Sequence, residues 1–281
     1  MAVLYKYSGA GNDFVVLDGR SEDVGHYREA GVIRSLCSRE DGFRAADGRI
    51  GADGLMILSA ADGYDFSMEF YNPDGSSGMM CGNGGRCIVA FSSFLGLVPA
   101  DGKVFRFVAA DGEHTGEIVS SEEDVATVRL GMIDCSEYHS VLDGWFLNTG
   151  TRHFVKFVDD VESLNIESEG KRYRWDEKFA PLGVNANFVQ RLADGSLKVR
   201  TFEKGVEAET LACGTGLTAC AIASWLDSHE GSRETAASSW GSVRVALHAR
   251  IADLKVDFKA PERADAAFKE VFLTGPAELV R

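Results

Sequence analysis

The sequence CGNGGRC at residues 81–87 decides how this chain folds, because its opening letters return as CGTG at residues 213–216. A nearly continuous apolar segment follows each copy and runs to Leu95 in the first case and to Leu226 in the second. A helix that is apolar on all sides is a buried helix. The two copies therefore predict two buried helices, each of which begins directly after a cysteine, Cys81 or Cys213.

The start of each predicted helix is suited to an anion. Backbone N–H groups are unpaired there, and the helix dipole favours negative charge on a ligand or on a cysteine thiol. The N–H groups that would point at a ligand belong to Gly82 and Asn83 in the first copy, and to Gly214 and Thr215 in the second. Small residues at these places let a backbone approach closely. The repeat thus predicts two opposed anion holes that hold one carboxylate between two thiols.

The remaining cysteines fit structural roles. Cys87 and Cys220 fall inside the apolar segments and are expected in the core, and we expect Cys37 and Cys135 to be inert. The close pairs have C-x5-C and C-x6-C spacing, and no histidine pair completes a zinc site, so we predict no metal.

Composition excludes several classes of function. The chain has 281 residues, a net charge of −14 and no basic stripe, so nucleic acid is not expected as a partner. The sequence contains no apolar stretch of about 18 residues, so we expect no membrane helix. The first residues lack the basic and apolar regions of a signal peptide, which predicts a cytoplasmic protein with reduced thiols.

The two halves of the chain follow the same plan of strands, a polar turn, the cysteine–glycine pattern, a buried helix and more strands. Asn72 and Lys204 precede their respective cysteines by the same number of residues. A duplication is the simplest account. It predicts similar domains at 1–130 and 131–281, with the last few residues able to return to the first domain and the active site in the cleft between them.

Periodicity predicts one further helix and most strands. The helix spans residues 27–38 and turns Ala30, Val32, Ile33, Leu36 and Cys37 inward, whereas residues 159–180 are expected to be polar and irregular. The predicted strands are 3–7, 14–18, 55–58, 66–71, 104–108, 117–119, 126–130, 145–147, 154–158, 184–189, 197–202, 243–251, 254–258 and a last one that starts at 271–273.

Five motifs, spread in order along the chain, carry a family resemblance. They are GAGNDF (9–14), IGADGL (50–55), NPDG (72–75) with MCGNG (80–84), VNANF (184–188) and ETLACGTG (209–216). The ordered set resembles diaminopimelate epimerase, the cofactor-independent amino-acid epimerase of lysine and peptidoglycan synthesis. The resemblance implies an α/β (α+β) fold of two similar domains, each a curved, mainly antiparallel sheet around a central buried helix. It also implies an amino-acid substrate, no cofactor and a homodimer.

Inversion of an α-carbon requires that a proton leave one face and that another arrive on the opposite face. Two thiols, one ionised and one protonated, suit this task, and the resemblance assigns the roles of base and acid to Cys81 and Cys213. It assigns substrate-holding roles to Asn12, Asn72, Asn185 and Glu203. Two of these assignments compete with simpler interpretations. Asn72 could merely shape its turn. Asn12 and Asp13 could both be turn residues, and we favour a functional role for Asn12 and a structural role for Asp13.

The chain departs from the family pattern near the expected substrate. The family commonly has Arg where this chain has Lys204, and Asn-Pro-His or Ser-Pro-His where it has Thr151-Arg152-His153. We therefore expect Thr151, His153 and Lys204 at the substrate, with Arg152 as a cation that compensates for the lost arginine, although His153 would also suit a buried structural role. Two alternatives remain open: an epimerase or racemase for a different amino acid, and a non-catalytic amino-acid-binding relative.

Overall fold

The computed structural model describes residues 2–229, 241–263 and 266–281. The chain forms two compact units. Unit 1 comprises Met1–Leu130 and Gly275–Arg281, and unit 2 comprises Gly131–Thr274. No helix in the described ranges combines the length and the apolar character that a membrane crossing requires.

Unit 1 is a mainly antiparallel sheet with two helices. Its strands are β1 (Tyr5–Gly9), β2 (Asn12–Asp18), β3 (Leu55–Ser59), β4 (Phe66–Tyr71), β5 (Val104–Ala109), β6 (Gly112–Glu122) and β7 (Val125–Gly131). They neighbour one another in chain order, and the β2–β3 and β4–β5 pairs are parallel. A parallel pair needs a long crossover, and helices α1 (Ala30–Cys37) and α2 (Gly82–Phe94) lie in these two connections.

Unit 2 repeats this plan. Its strands are β8 (Glu137–Val141), β9 (Gly144–Asn148), β10 (Arg152–Phe157), β11 (Asn185–Arg191), β12 (Leu197–Glu203), β13 (Ala208–Thr210), β14 (Ser242–His248), β15 (Asp253–Lys259) and β16 (Lys269–Leu279). The β10–β11 and β12–β14 pairs are parallel. Helices α3 (Ile166–Arg174) and α4 (Gly214–Ser228) lie in those connections, as α1 and α2 do in unit 1. The expected two-domain α+β fold is confirmed.

Each unit is built around its second helix. Helix α2 packs against β1, β2, β3 and β6, and α4 packs against β9–β12, β14 and β15. Cys87, Ile88, Val89 and Phe91 of α2 have no exposed surface, as predicted for a helix that is apolar on all sides. The close fit requires a glycine on β6, because a Cβ atom at Gly116 would lie 2.5 Å from Val89.

The helix predicted at 27–38 is wrong in its first turn. Residues Gly25–Arg28 form a 3₁₀ turn, and Glu29 is extended at φ −72° and ψ 125° before α1 begins. Ile33 and Cys37 are buried, but Ala30 is exposed. An extended residue at the N-cap separates the two helical pieces and changes the face that Ala30 presents.

The irregular segment predicted at 159–180 is also wrong. It contains α3, whose N-cap Asn165 accepts a hydrogen bond from the Ser168 N–H at 3.1 Å, followed by a 3₁₀ turn at Glu177–Phe179. The buried side of α3 is a narrow stripe of Ile166, Gly170 and Tyr173 among charged residues. The short strands β8 and β13 are not among the strands that the periodicity predicts.

Candidate active site

Both repeated cysteines cap a buried helix. Cys81 is the N-cap of α2 at φ −106° and ψ 153°, and its Sγ accepts a hydrogen bond from the Gly84 N–H at 3.2 Å. Cys213 is the N-cap of α4 at φ −115° and ψ 110°, and its Sγ lies 3.5 Å from Oγ1 of Thr215. Both thiols are half-buried. Each therefore lies at the positive end of a helix dipole, a position that favours the thiolate.

A chain of hydrogen bonds crosses unit 1 beside Cys81. Arg86 Nη2 donates to Asn83 Oδ1 at 2.9 Å, Asn83 Nδ2 donates to Asn12 Oδ1 at 2.7 Å, and Asn12 Nδ2 donates to Asp53 Oδ2 at 3.0 Å. A guanidinium only donates and a carboxylate only accepts, so the two ends fix the orientation of both amides. The structure thus brings Asn12 and Asn83 together at the start of α2, and a role for either at the substrate stays a prediction.

An ion-pair cluster anchors this chain. Arg39 bridges Asp13 and Asp53, and the buried Lys6 ammonium lies 2.7 Å from Asp13. Burial raises the pKa of Asp13, but the hydrogen bonds from Arg39 and Lys6 outweigh burial and hold this pKa below its ordinary value. Asp13 therefore has the structural role that the sequence favoured for it.

Asn72 is engaged in its own turn. Its Nδ2 donates to Ser76 Oγ at 3.0 Å, its backbone N–H donates to the Ser76 carbonyl at 2.8 Å, and its carbonyl accepts from the Gly75 N–H at 2.9 Å. It does not share a hydrogen bond with Asn12 or Asn83 among the described contacts. A role for Asn72 at the substrate stays a prediction.

His153 in unit 2 is a neutral imidazole of defined tautomer. It is fully buried, and burial lowers its pKa to about 3. Asn187 Nδ2 lies 3.1 Å from His153 Nδ1 and donates to the Phe154 carbonyl at 3.0 Å, which fixes the orientation of the amide. His153 Nδ1 is therefore the acceptor, and Nε2 carries the hydrogen.

The Nε2–H group of His153 points at two hydroxyl groups. It lies 2.8 Å from Thr151 Oγ1 and 3.0 Å from Thr215 Oγ1. When His153 donates to Thr215, the Thr215 hydroxyl is free to donate to Cys213. Gly216 makes this possible, because a Cβ atom there would lie 2.6 Å from Asn187 Oδ1. The glycine thus makes room for the protein's own side chains, and not only for a ligand.

Among the other predicted residues of unit 2, Asn185 joins the same network through its side chain. Asn185 Nδ2 donates to Thr151 Oγ1 and to the Arg152 carbonyl, both at 3.2 Å, and its Oδ1 accepts from the Lys204 N–H at 2.8 Å. Burial raises the pKa of Glu203. The Lys204 side chain is exposed.

Arg152 is held on a different side of β10 from His153. Its guanidinium lies over the Phe146 ring at 5.1 Å and donates to the Phe179 carbonyl at 3.3 Å. Consecutive strand residues point to opposite faces, so Arg152 lies opposite the network that contains His153. These contacts do not support the expectation that Arg152 compensates for Lys204.

Comparison with known proteins identifies the family. The diaminopimelate epimerase family profile matches residues 4–133 and 145–262. The chain belongs to this family. The diaminopimelate epimerase of Flavobacterium psychrophilum is 36% identical over 278 residues, which cover 99% of this chain and 97% of that protein. The diaminopimelate epimerase of Aquifex aeolicus is 41% identical over 235 residues, which cover 79% and 81%.

Solved structures share the fold of this epimerase family member at low identity. A PhzF-family phenazine biosynthesis protein from Bacillus anthracis has a TM-score of 0.67 at 11% identity and covers 99% of this chain and 96% of its own. A probable proline racemase from Agrobacterium radiobacter has a TM-score of 0.63 at 16% identity and covers 100% and 92%.

Cys87 and Cys220 are buried in this family member, as predicted, and Cys37 and Cys135 are buried as well. Burial raises the pKa of Cys37 to about 11 and that of Cys135 to about 12, and it also raises those of Cys87 and Cys220. Across the described ranges, no group of three or more His, Cys, Asp or Glu side chains is arranged to hold a metal ion.

Sequence reasoning assigned no role to three residues that organise the site: Asp53, Arg86 and Asn187. Each lies inside a quoted motif, so its place in the chain was visible but its partner was not. The one available signal was Arg86, a charged residue at the start of an otherwise apolar segment.

Proposed function

We propose that this protein is a diaminopimelate epimerase that interconverts the LL and meso forms without a cofactor, with Cys81 and Cys213 as the acid–base pair. The observation that carries the proposal is the repeated N-cap cysteine on a buried helix, found once in each unit of a chain from this family. A cytoplasmic location belongs to the proposal, because a reducing compartment keeps both thiols available.

The reaction needs both thiols. One thiolate removes the α-proton and becomes a thiol, and the C–H electron pair passes into the substrate carboxylate as an enediolate. The other thiol then gives its proton to the opposite face of the carbon and becomes a thiolate. One thiolate and one thiol are present before and after the reaction, so the proton count balances and no redox cofactor takes part.

The helix starts stabilise the charge that grows on the carboxylate oxygens. The donors are the backbone N–H groups of Gly82 and Asn83 and those of Gly214 and Thr215. Removal of one such donor costs about 2.7–4 kcal/mol of barrier. Asn12 adds to them, because Asp53 accepts through one hydrogen of its Nδ2 and leaves the second for the substrate.

The rest of the substrate is assigned to Asn72, Thr151, Asn185, Glu203 and Lys204. Asn185 contributes through its place in the Thr151–His153 network, and Glu203 supplies a half-buried carboxyl group. Lys204 is exposed and offers a point charge to the distal carboxylate, without the two-pronged geometry of an arginine.

The test is incubation of the reduced protein with LL-diaminopimelate in deuterium oxide, followed by NMR of the α-proton. We expect loss of that signal together with formation of the meso product. Cys81→Ala and Cys213→Ala should each lower turnover by a factor of about 10³ or more. Cys37→Ala removes a buried thiol outside the site and is the matched control, which should retain turnover.

Two results would contradict the proposal. Full turnover in either alanine variant would refute the two-thiol mechanism. An inert diaminopimelate, together with turnover of another amino acid by the same preparation, would keep the mechanism and refute the substrate.

A further inference from the structure

Arg86 is a buried cation whose partners are all uncharged. Its side chain has no exposed surface. Its donors reach the Gly82 carbonyl at 3.1 Å, Asn83 Oδ1 at 2.9 Å and the Pro276 carbonyl at 3.2 Å. Within the described part of the chain, no carboxylate lies in ion-pair distance of it. Burial of a charge costs free energy unless an opposite charge is near, so an anion close to the guanidinium would stabilise it.

The candidate for that anion is a thiol beside the first turn of α2. Arg86 folds back over this turn, where it meets the backbone of Gly82, and Cys81 is the cap of the same turn. Arg86 interacts electrostatically with Cys87 and, to a smaller extent, with Cys81. Cys87 is fully buried and burial raises its pKa, which keeps it a neutral thiol. Cys81 is half-buried at the helix terminus, a position that favours a thiolate.

The other charged groups around α2 have partners of their own. Lys6 of β1 is paired with Asp13 of β2 at 2.7 Å, and burial raises the pKa of Tyr7, which keeps its phenol neutral. Asp111, in the turn between β5 and β6, accepts from the Met80 N–H at 3.4 Å and is paired with His114 at 3.1 Å. None of these pairs supplies the counter-charge that Arg86 requires.

The repeat places a neutral residue at the equivalent position of α4. Thr218 stands as far after Cys213 as Arg86 stands after Cys81. Its Oγ1 donates to the Gly214 carbonyl at 3.0 Å, which reproduces the bond from Arg86 to Gly82 without the charge. The imidazole beside Thr215, that of His153, is neutral as well. At this position the two helix starts therefore share a hydrogen bond to the first turn, and the side chain that makes it is charged in α2 and neutral in α4.

We infer that Arg86 is a positioning residue that keeps Cys81 as the thiolate, so that the resting enzyme holds Cys81 ionised and Cys213 protonated. This inference rests on the proposed function for its catalytic meaning. It assigns the first proton abstraction to Cys81 and the first proton donation to Cys213 in the resting enzyme. Arg86 also orients Asn83 and, through it, Asn12, so the same side chain links the thiolate to the amide that faces the substrate.

The test follows the alkylation of each cysteine by iodoacetamide as a function of pH, with the reduced protein and no substrate. Mass spectrometry of the peptides gives a separate midpoint for each thiol, because the thiolate is the species that reacts. In the unmodified protein we expect Cys81 to react with a lower midpoint than Cys213. In Arg86→Gln the Cys81 midpoint should rise by about one pH unit or more, whereas the Cys213 midpoint should not change.

Two further variants separate charge from structure. Arg86→Lys keeps the charge and should keep the Cys81 midpoint nearer to that of the unmodified protein than Arg86→Gln does. Thr218→Val removes the equivalent hydrogen bond on α4, and both midpoints should stay unchanged. If Arg86→Gln fails to fold, the inference is tested by the order of the two midpoints in the unmodified protein and in Arg86→Lys. Cys81 should have the lower midpoint in both.

An unchanged Cys81 midpoint in folded Arg86→Gln, or a lower midpoint for Cys213 than for Cys81, would overturn the inference. The assay is independent of the proposed function, because it uses no substrate. Turnover of diaminopimelate with equal midpoints refutes the inference alone, and the expected midpoints with inert diaminopimelate refute the substrate alone.

Discussion

His153 links the site to the stability of unit 2 through its protonation. Its pKa is about 3 in the folded protein, and a histidine in an unfolded chain has a pKa of about 6.5. Between these values the unfolded chain binds a proton that the folded protein does not bind, so acid favours unfolding. The stability that His153 contributes is complete above pH 6.5 and is lost as the pH falls toward 3.

Replacement of His153 by Gln should flatten this pH dependence. Between pH 7 and pH 5 the unmodified protein should lose about 2 kcal/mol more unfolding free energy than the variant, from proton uptake by one histidine. Urea titrations that follow tryptophan fluorescence measure this for unit 2, where Trp145 is buried. His139→Gln alters an exposed histidine and should behave as the unmodified protein. Parallel pH profiles for unmodified protein and His153→Gln would contradict the linkage.

Motifs point to the two cysteines that we propose as the acid–base pair, but not to the residues that surround them. The sequence predicts Cys81 and Cys213 at the starts of buried helices, because a cysteine before a glycine and an apolar run has a direct physical meaning, and the structure places both as N-caps. Asn187 and Asp53 were not found, because their roles depend on partners from distant parts of the chain, His153 and Asn12. Such pairs are set by strand register, which motifs do not record.

At the scale of the element, Cys81 has two roles in the first turn of α2: it caps the helix, and we propose that it takes part in the proton transfer. The Sγ atom accepts the Gly84 N–H, so it caps one of the unpaired donors of the helix. Serine is among the preferred N-cap residues, and alanine leaves the donor without a side-chain acceptor.

Cys81→Ser and Cys81→Ala should therefore differ in stability but not in activity. Both lack the thiol and should be inactive, and the serine variant should be more stable by about 0.5–2 kcal/mol. Thermal or urea unfolding followed by far-UV circular dichroism measures the difference. Equal stability of the two variants would show that the sulfur does not serve as a cap. Activity in Cys81→Ser would instead contradict the chemical role.

The strength of the periodic signal explains which elements the sequence predicted. Helices α2 and α4 are apolar on nearly all sides, and the strands that follow alternate clearly. Helix α3 buries Ile166, Gly170, Tyr173 and Arg174, and a Cβ atom at Gly170 would lie 2.3 Å from Phe202. Gly170 is required for close packing, but in a sequence a glycine also indicates a loop, which is why residues 159–180 are predicted to be irregular.

At the scale of the whole molecule, the chain returns to complete the unit in which it began. Strand β16 starts in unit 2, and its last residues belong to unit 1, where Leu279 pairs with Tyr7 of β1. The Val280 N–H donates to the Lys6 carbonyl at 2.8 Å, and the Pro276 carbonyl accepts from Arg86. The end of the chain thus supports both β1 and the buried guanidinium of Arg86 in the first turns of α2.

Deletion of residues 275–281 should therefore loosen unit 1 selectively. Strand β1 would lose its β16 partner, and Arg86 Nε would lose its acceptor, so amide hydrogen exchange should rise in the peptides that contain β1 and the start of α2. Tryptophan fluorescence should stay unchanged, because the tryptophans among the described residues, Trp145, Trp175 and Trp225, all lie in unit 2. Arg281→Ala removes only the exposed ion pair with Asp124 and should leave exchange in β1 unaltered. Unchanged exchange in β1 after the deletion would show that unit 1 does not depend on the returning strand. If exchange in β1 increases and the pH midpoint for alkylation of Cys81 rises as well, then the end of the chain also influences the ionisation of Cys81.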